Sequence, residues 1–297
     1  MSYHSSFHPP PRKMADTLNP IYFLHVGKAG GTSIDDLLLS ILQCERKMYV
    51  GDLHYDWSYI QQRELPRIRR RAEHRYRQLL HENNDDDDDD ISTNVDVITF
   101  LRHPVSRAVS QFYFSKKLKW ATKANATFLF QTFDEYVDDP NKDWFQPIAD
   151  GESGTDFLAG IFPTEKGHWV ASDERETSRK VYLRKNKTAA CLLAAKRLED
   201  TTWFGLMEDI DRSMILLQLS LGLPTTPLLP KTNSGNNKGR MSLPSHETLQ
   251  KVESYIPKDL WLYEYAKRLF EARWEYYTGG NNCTYVSPEL PPLSGLM

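Results

Sequence analysis

The spacing of apolar and polar residues predicts a chain in which strands alternate with helices. Short apolar runs, typical of buried strands, occupy residues 21–26, 95–101 and 202–206. Segments with the apolar spacing of helices occupy residues 34–42, 105–119, 188–198, 208–221, 245–255 and 258–277. Because strands and helices alternate, the pattern favours an α/β fold with one parallel sheet covered by helices on both faces.

A single large domain is expected from these segments. The chain has 297 residues, which suffices for one α/β domain of ordinary size. Residues 1–19 are polar and proline-containing, and we predict a disordered leader there. The predicted domain covers residues 20–280 and includes an acidic loop at 83–90, and residues 281–297 form a predicted C-terminal tail.

Composition and charge narrow the classes of protein to consider. Hydrophobic residues make up 40% of the chain, enough for a real core. The net charge is −3, but an unbroken run of aspartates at 85–90 makes the remainder mildly basic, which suits an anionic ligand and does not indicate nucleic-acid binding. Three scattered cysteines do not suggest a disulfide framework or a zinc site. No apolar run approaches the ~20 residues of a membrane span, and the N-terminus does not resemble a signal peptide.

The first candidate site is the turn between strand 21–26 and helix 34–42. It consists of Gly27, Lys28, Ala29, Gly30, Gly31, Thr32 and Ser33. Glycines let backbone N–H groups approach an anion closely, and a helix N-terminus adds a partial positive charge. A Walker A loop carries its lysine after the glycines, whereas Lys28 precedes Gly30 and Gly31. The turn is therefore P-loop-like without being a Walker A loop, and an ordinary glycine-rich turn is the alternative.

The second candidate site is the end of strand 95–101. Arg102 follows this strand, and Ser110 lies eight positions further on, about two helical turns along the next helix. Neighbouring parallel strands open onto the same crevice, so Arg102 is expected beside the first turn. A guanidinium and a hydroxyl make a good phosphate clamp, and a surface ion pair is the alternative for Arg102.

Together the two motifs resemble those of sulfotransferases. The order Lys-x-Gly-Gly-Thr-Ser is similar to the family's 5′-phosphosulfate loop, His-Val-Pro-Lys-Thr-Gly-Gly-Thr, with Gly27 and Ala29 as departures. The resemblance implies 3′-phosphoadenosine-5′-phosphosulfate (PAPS) as the sulfuryl donor and no metal. It assigns the 5′-phosphate to Lys28, Gly30, Gly31, Thr32 and Ser33. It assigns the 3′-phosphate to Arg102 and Ser110.

Four segments resemble the heparan sulfate 6-O-sulfotransferases in particular. They are Leu-His-Tyr-Asp-Trp-Ser at 53–58, Leu-Arg-His-Pro-Val-Ser-Arg at 101–107, Phe-Gly-Leu-Met-Glu at 204–208 and Leu-Tyr-Glu-Tyr-Ala-Lys-Arg-Leu-Phe at 262–270. His103 replaces that family's aspartate, and residues 154–160 stand where its Asn-Leu-Ala-Asn-Asn-Arg-Gln segment is expected. The resemblance implies a polysaccharide acceptor, anionic as heparan sulfate is, and no nucleic acid.

The same resemblance points to a base and to a closing loop. The family's histidine at the position of His54 takes the proton of the acceptor hydroxyl, and imidazole titrates near neutral pH. A structural histidine in an aromatic loop is the alternative. The loop that carries Ser234, Lys238 and Arg240 resembles the segment that closes over the nucleotide in related enzymes, against the alternative of a plain loop.

The cellular setting and two other functions remain open. Family members act in the Golgi lumen behind an N-terminal membrane anchor, which is not visible in this sequence, and glycosylation triplets begin at Asn125, Asn186 and Asn282.

A P-loop kinase would need a different lysine position and a magnesium-binding aspartate. A non-catalytic polyanion-binding module could use the arginines between residues 63 and 77, which otherwise belong to a solvated helix.

Overall fold

The computed structural model describes residues 20–24, 26, 29, 31–44, 49–50, 66–68, 70, 96–117, 132–138, 154–159, 181–183, 185–229, 243–279 and 285–296.

Within these residues, four parallel strands form one sheet. They are β1 (Ile21–Leu24), β2 (Tyr49–Val50), β3 (Asp96–Leu101) and β4 (Trp203–Leu206), in the spatial order β2-β1-β3-β4. Every residue of β1, β3 and β4 is buried. Because successive side chains of a strand point to opposite faces, both faces of the sheet are covered. The predicted parallel sheet is confirmed, and β2 is a strand that the apolar pattern did not predict.

The helices surround this sheet. They are α1 (Gly31–Cys44), α2 (Pro104–Lys117), α3 (Phe133–Asp138), α4 (Gly154–Ala159), α5 (Lys187–Glu199), α6 (Ile210–Leu221), α7 (His246–Tyr255) and α8 (Pro257–Thr278). The six predicted helices are confirmed as α1, α2 and α5 to α8, whereas α3 and α4 lie in a stretch without a clear pattern. None of the helices in the described ranges is long and apolar enough to cross a membrane.

The predicted helix 208–221 begins later than expected. A 3₁₀ turn, Met207–Asp209, separates β4 from α6. The Ser213 hydroxyl holds this turn tight, because it accepts a hydrogen bond from the Leu206 N–H at 2.9 Å and lies 2.7 Å from the Asp209 carbonyl oxygen, to which it donates. Glu208 therefore lies in a turn at the end of β4 and not in the helix.

Local sequence explains where several helices start and stop. The Asn186 side chain accepts a hydrogen bond from the Ala189 N–H at the start of α5, and Ser245 does the same for α7. Pro257 begins α8, where a missing N–H costs little. Gly222 ends α6 in the left-handed conformation, at φ 63°, which glycine adopts without a steric penalty.

Two groups of buried apolar side chains hold the fold together. The larger joins the sheet to α1, α5, α6 and α8. The smaller lies between α2, α3 and α7 and contains Val105, Ala108, Phe112, Phe133, Tyr136, Val137, Val252 and Ile256. The chain beyond α8 returns to the larger core, since the Trp261 indole donates a hydrogen bond to the Pro291 carbonyl and Leu296 is buried.

Two sequence predictions fall largely outside the described part of the chain. In the arginine-rich segment, residues 66–68 and 70 are described and are helical. The acidic run at 85–90 and the loop 230–242 lie outside the described residues.

Candidate functional site

The two predicted motifs lie at the same edge of the sheet, on neighbouring strands. Strands β1 and β3 are parallel, with Leu24 opposite Thr99, so their carboxyl ends open onto the same side. After β1 the chain turns, with the Ala29 N–H donating to the Val26 carbonyl at 3.3 Å, and α1 begins at Gly31. After β3, Arg102 and His103 lead directly into α2. In both motifs a buried strand is followed by a helix, as predicted, whereas Gly27, Lys28 and Gly30 of the first turn lie outside the described residues.

A cavity opens at this edge. Its lining consists of Val26, Leu101, Arg102, Pro104, Arg107, Gly154, Asp259, Leu262 and Tyr263. The cavity therefore lies between the two motifs on one side and α4 and α8 on the other. Among the described residues, a Cβ atom added at Gly154 would meet nothing within 4 Å, so they leave open space next to the backbone here.

Arg102 is the lining residue best suited to bind an anion. Its side chain is partly buried, and this desolvation lowers the pKa of the guanidinium, while the nearby Glu208 carboxylate raises it. An arginine pKa starts so high that the group stays charged in spite of the shift. A charged guanidinium that has already lost part of its water can bind an anion strongly.

Glu208 connects three elements beside Arg102. Its Oε1 accepts a hydrogen bond from the His103 backbone N–H at 3.0 Å, and its Oε2 accepts one from the Tyr263 hydroxyl of α8 at 2.6 Å. The ring of His103 meets the ring of Tyr263 edge-on, with 5.2 Å between the centroids. Burial and the hydrogen bond to Glu208 raise the pKa of Tyr263, so the phenol remains a donor at physiological pH.

A buried ion pair forms part of the lining of the cavity. Arg107 and Asp259 lie 3.2 Å apart, and both side chains are buried. The Asp259 carboxylate also accepts hydrogen bonds from the backbone N–H groups of Gly154 at 3.2 Å and Thr155 at 2.9 Å. Since these are the first two residues of α4, Asp259 fixes the start of α4 against α8.

The other end of α4 is held as firmly. Arg197 of α5 donates a hydrogen bond to the Leu158 carbonyl at 2.6 Å, and this contact is buried. On the flank of the helix, Lys258 pairs with Asp156 at 2.8 Å. The short helix thus forms a fixed wall of the cavity, in a region where the sequence indicated no element.

The structure describes about half of the predicted site. Gly31, Thr32 and Ser33 form the first turn of α1, at the positive end of the helix dipole. Arg102 and Ser110 lie at the end of β3 and on α2, and both are partly buried. The remaining predicted site residues, which fall outside the described residues, are Lys28, Gly30, His54, Ser234, Lys238 and Arg240.

Glu208, Tyr263 and Asp259 were not predicted as site residues. Glu208 and Tyr263 belong to segments that carry the sulfotransferase resemblance, but neither was assigned a role. For Glu208 a signal existed: a charged residue two positions after the end of a buried parallel strand points to the ligand crevice. The contact of Asp259 with Arg107 spans 152 positions and has no local signature.

Among the described residues, no group of three or more His, Cys, Asp or Glu side chains is arranged to hold a metal ion. A family model described as the sulfotransferase family matches residues 13–272, which include the four described strands and all but the last turns of α8. A search of curated proteins found no match to the chain.

Proposed function

The chain belongs to the sulfotransferase family, and on this basis we propose that it transfers the sulfuryl group of PAPS to a hydroxyl of a polysaccharide, in the manner of the heparan sulfate 6-O-sulfotransferases. The observation that carries the proposal is the family match over residues 13–272, because this range includes both candidate phosphate-binding motifs.

The P-loop-like turn after β1 binds the 5′-phosphate in this proposal. Lys28 and the backbone N–H groups from Gly30 to Ser33 surround the phosphate oxygens. The start of α1 at Gly31, at the end of the turn that follows the buried strand, supports this role, since a helix N-terminus favours an anion.

The end of β3 and helix α2 bind the 3′-phosphate in this proposal. Arg102 supplies the guanidinium and Ser110 a hydroxyl. The residues suit such a group because Arg102 is a partly desolvated cation in the wall of the cavity. Ser234, Lys238 and Arg240 close over the nucleotide.

Positioning and charge stabilisation carry the proposed reaction. The acceptor oxygen forms a bond to sulfur while the bond from sulfur to the bridging phosphate oxygen breaks. His54 accepts the proton of the acceptor hydroxyl, and Lys28 stabilises the negative charge that develops on the leaving phosphate. The products are a sulfate ester and adenosine 3′,5′-bisphosphate.

The acceptor and the setting are proposed from the resemblance of segments 53–58, 101–107, 204–208 and 262–270 to the 6-O-sulfotransferases. The acceptor is a hydroxyl of an anionic polysaccharide, and the reaction takes place in the Golgi lumen, behind a membrane anchor. Enzymatic removal of N-glycans from the chain secreted by animal cells tests the setting. If Asn125, Asn186 or Asn282 is glycosylated, the mass of the chain should fall when the glycans are removed.

Calorimetric titration tests the proposal for the donor. We expect adenosine 3′,5′-bisphosphate to bind without magnesium and binding to disappear in Lys28→Ala and Arg102→Ala. Preference for ATP with magnesium would contradict the proposal and favour a kinase. Transfer of labelled sulfate from PAPS to 6-O-desulfated heparin then tests the acceptor, and binding without turnover on any polysaccharide would favour a non-catalytic module.

A further inference from the structure

Glu208 lies just after the end of β4. The neighbouring strand, β3, ends next to it, and Arg102 follows β3 at the edge of the crevice. We propose that Glu208 is a positioning residue for the 3′-phosphate clamp: by fixing the backbone beside Arg102, its carboxylate gives the site its preference for nucleotides that carry a 3′-phosphate. This inference rests on the proposed function, since it assumes that Arg102 binds that phosphate.

The geometry of the strand ends carries the argument. Strands β3 and β4 are neighbours, with Leu101 opposite Leu206, so the segments that follow them leave the sheet side by side. Glu208 accepts a hydrogen bond from the backbone N–H of His103, the residue directly after Arg102. It accepts a second hydrogen bond from the Tyr263 hydroxyl. One carboxylate therefore ties the end of β3 to the turn after β4 and to α8.

The hydrogen bond from the His103 N–H to Glu208 acts on Arg102 through the Arg102 backbone. An arginine side chain has several rotatable bonds, and its direction depends first on the peptide from which it extends. Without the hydrogen bond to Glu208, the Arg102–His103 peptide would lose its link to α8. Ordering of the guanidinium would then cost free energy when the phosphate binds.

The charge of Glu208 contributes less than its hydrogen bonds. The carboxylate raises the pKa of Arg102 and so helps to keep the guanidinium charged. Glu208 is exposed, however, and water and salt screen the interaction of exposed charges. A glutamine at this position keeps an acceptor oxygen for the His103 N–H and loses the charge, and its amide N–H can donate to the Tyr263 hydroxyl oxygen in place of the bond that Oε2 accepts. It should therefore preserve most of the effect.

The expected effect is selective for one end of the nucleotide. Glu208 contacts α8 and His103, which follows β3, whereas the 5′-phosphate is assigned to the turn after β1. Misplacing Arg102 should therefore weaken binding of a 3′,5′-bisphosphate and leave binding of a 5′-monophosphate almost unchanged. A general loss of structure would weaken both.

The experiment compares adenosine 3′,5′-bisphosphate with adenosine 5′-monophosphate by calorimetry on the full chain. We expect Glu208→Ala to lose about tenfold in affinity for the bisphosphate and less than about twofold for the monophosphate, the scale of one lost hydrogen bond at a charged site. Glu208→Gln should recover most of the loss. Asp209→Ala is the matched control, because it removes a carboxylate from the same turn that pairs with Arg212 instead.

Several results would overturn the inference. Equal losses for the two nucleotides, or an affinity of Glu208→Ala equal to that of the wild type, would contradict it and leave the proposed function standing. If Glu208→Ala does not fold, Tyr263→Phe decides, since it removes the bond to Oε2 and should produce a smaller loss with the same selectivity. A wild-type chain that does not prefer the bisphosphate would overturn both proposals.

Discussion

Arg107 and Asp259 form an ion pair inside the protein, with 3.2 Å between Nη2 and Oδ2 and with 3% and 4% of their side chains exposed. Asp259 also accepts two backbone N–H groups of α4. One carboxylate thus neutralises a buried cation and fixes a wall of the candidate site. The pair joins α2, which follows Arg102, to α8, and in this way connects the stability of the fold with the geometry of the crevice.

Removing Asp259 should destabilise the protein strongly. In Asp259→Ala the guanidinium of Arg107 loses this carboxylate in a buried position, and breaking such pairs costs about 3–5 kcal/mol. Urea unfolding measures the change in the free energy of unfolding. Lys196→Ala is the control, because it breaks the exposed pair of Lys196 with Asp200 and should cost less than about 1 kcal/mol. Equal effects of the two substitutions would contradict the importance of burial here.

Two glycines should respond differently to the same substitution. A Cβ atom at Gly205 would overlap the ring of Phe100 and lie 2.7 Å from Cζ2 of Trp203, on which that ring stacks, whereas one at Gly154 would meet none of the described residues within 4 Å. We expect Gly205→Ala to cost about 1–3 kcal/mol, because the stacked rings must move apart. Gly154→Ala should fold as stably as the wild type. Thermal unfolding of both variants checks this, and a tolerated Gly205→Ala would mean that β4 can shift away from β3.

Asp134 should make stability depend on acid pH. Hydrogen bonds from the Thr248 hydroxyl and from the Ser245 backbone N–H, at 2.8 Å, lower its pKa from the ordinary 3.8. A carboxyl whose pKa is lower in the folded protein stabilises it above the unfolded pKa and loses this contribution as the pH falls through the folded value. The stability difference between wild type and Asp134→Asn should therefore be constant above about pH 5 and shrink as the pH falls below 3.8.

Urea midpoints at a series of acid pH values measure this difference. Thr248→Val is a matched variant, because it removes the hydroxyl donor with the largest effect on the pKa of Asp134 and keeps the carboxyl. It should make the stability less dependent on pH below 3.8 than in the wild type. A difference between wild type and Asp134→Asn that stays constant down to the lowest pH would rule out Asp134 as the source.

Strands made of an unbroken apolar run and helices with a repeated apolar face could be predicted from the sequence, whereas β2, α3 and α4 could not. Strands β1, β3 and β4 and six helices follow the apolar spacing, because each buries a continuous face. Strand β2 has two residues and α3 and α4 have six each, too few for a period to show. Helix α4 depends on contacts with Asp259 and Arg197, about 100 and 39 positions away along the chain.

The candidate site could be predicted as far as its motifs were local. The rule for parallel strands predicted that the two motifs lie next to each other, and the pairing of β1 with β3 confirms that their strands are neighbours. The roles of Lys28, His54 and the residues near 234–240 stay predictions. The position of Glu208 after β4 was a local signal, but its role could not be predicted, because its partners His103 and Tyr263 are remote in sequence and meet it only at the end of the sheet.

The assignment of His54 and Arg102 to different steps leads to a last prediction. A base acts on the acceptor hydroxyl and not on the nucleotide, so His54→Ala should bind adenosine 3′,5′-bisphosphate as the wild type does while its turnover falls ~100-fold. Arg102→Ala should lose nucleotide affinity, because the missing guanidinium leaves the 3′-phosphate without a charged partner.

Calorimetry and a sulfate-transfer assay on the same preparations separate the two effects. His246→Ala is the control histidine, since His246 begins α7 and its ring lies 3.1 Å from the side chain of Gln250, far along the chain from either motif. It should keep both binding and turnover. If His54→Ala lost nucleotide binding and kept its turnover at saturating donor, His54 would belong to the nucleotide site, and the base would have to be sought among other residues of the crevice.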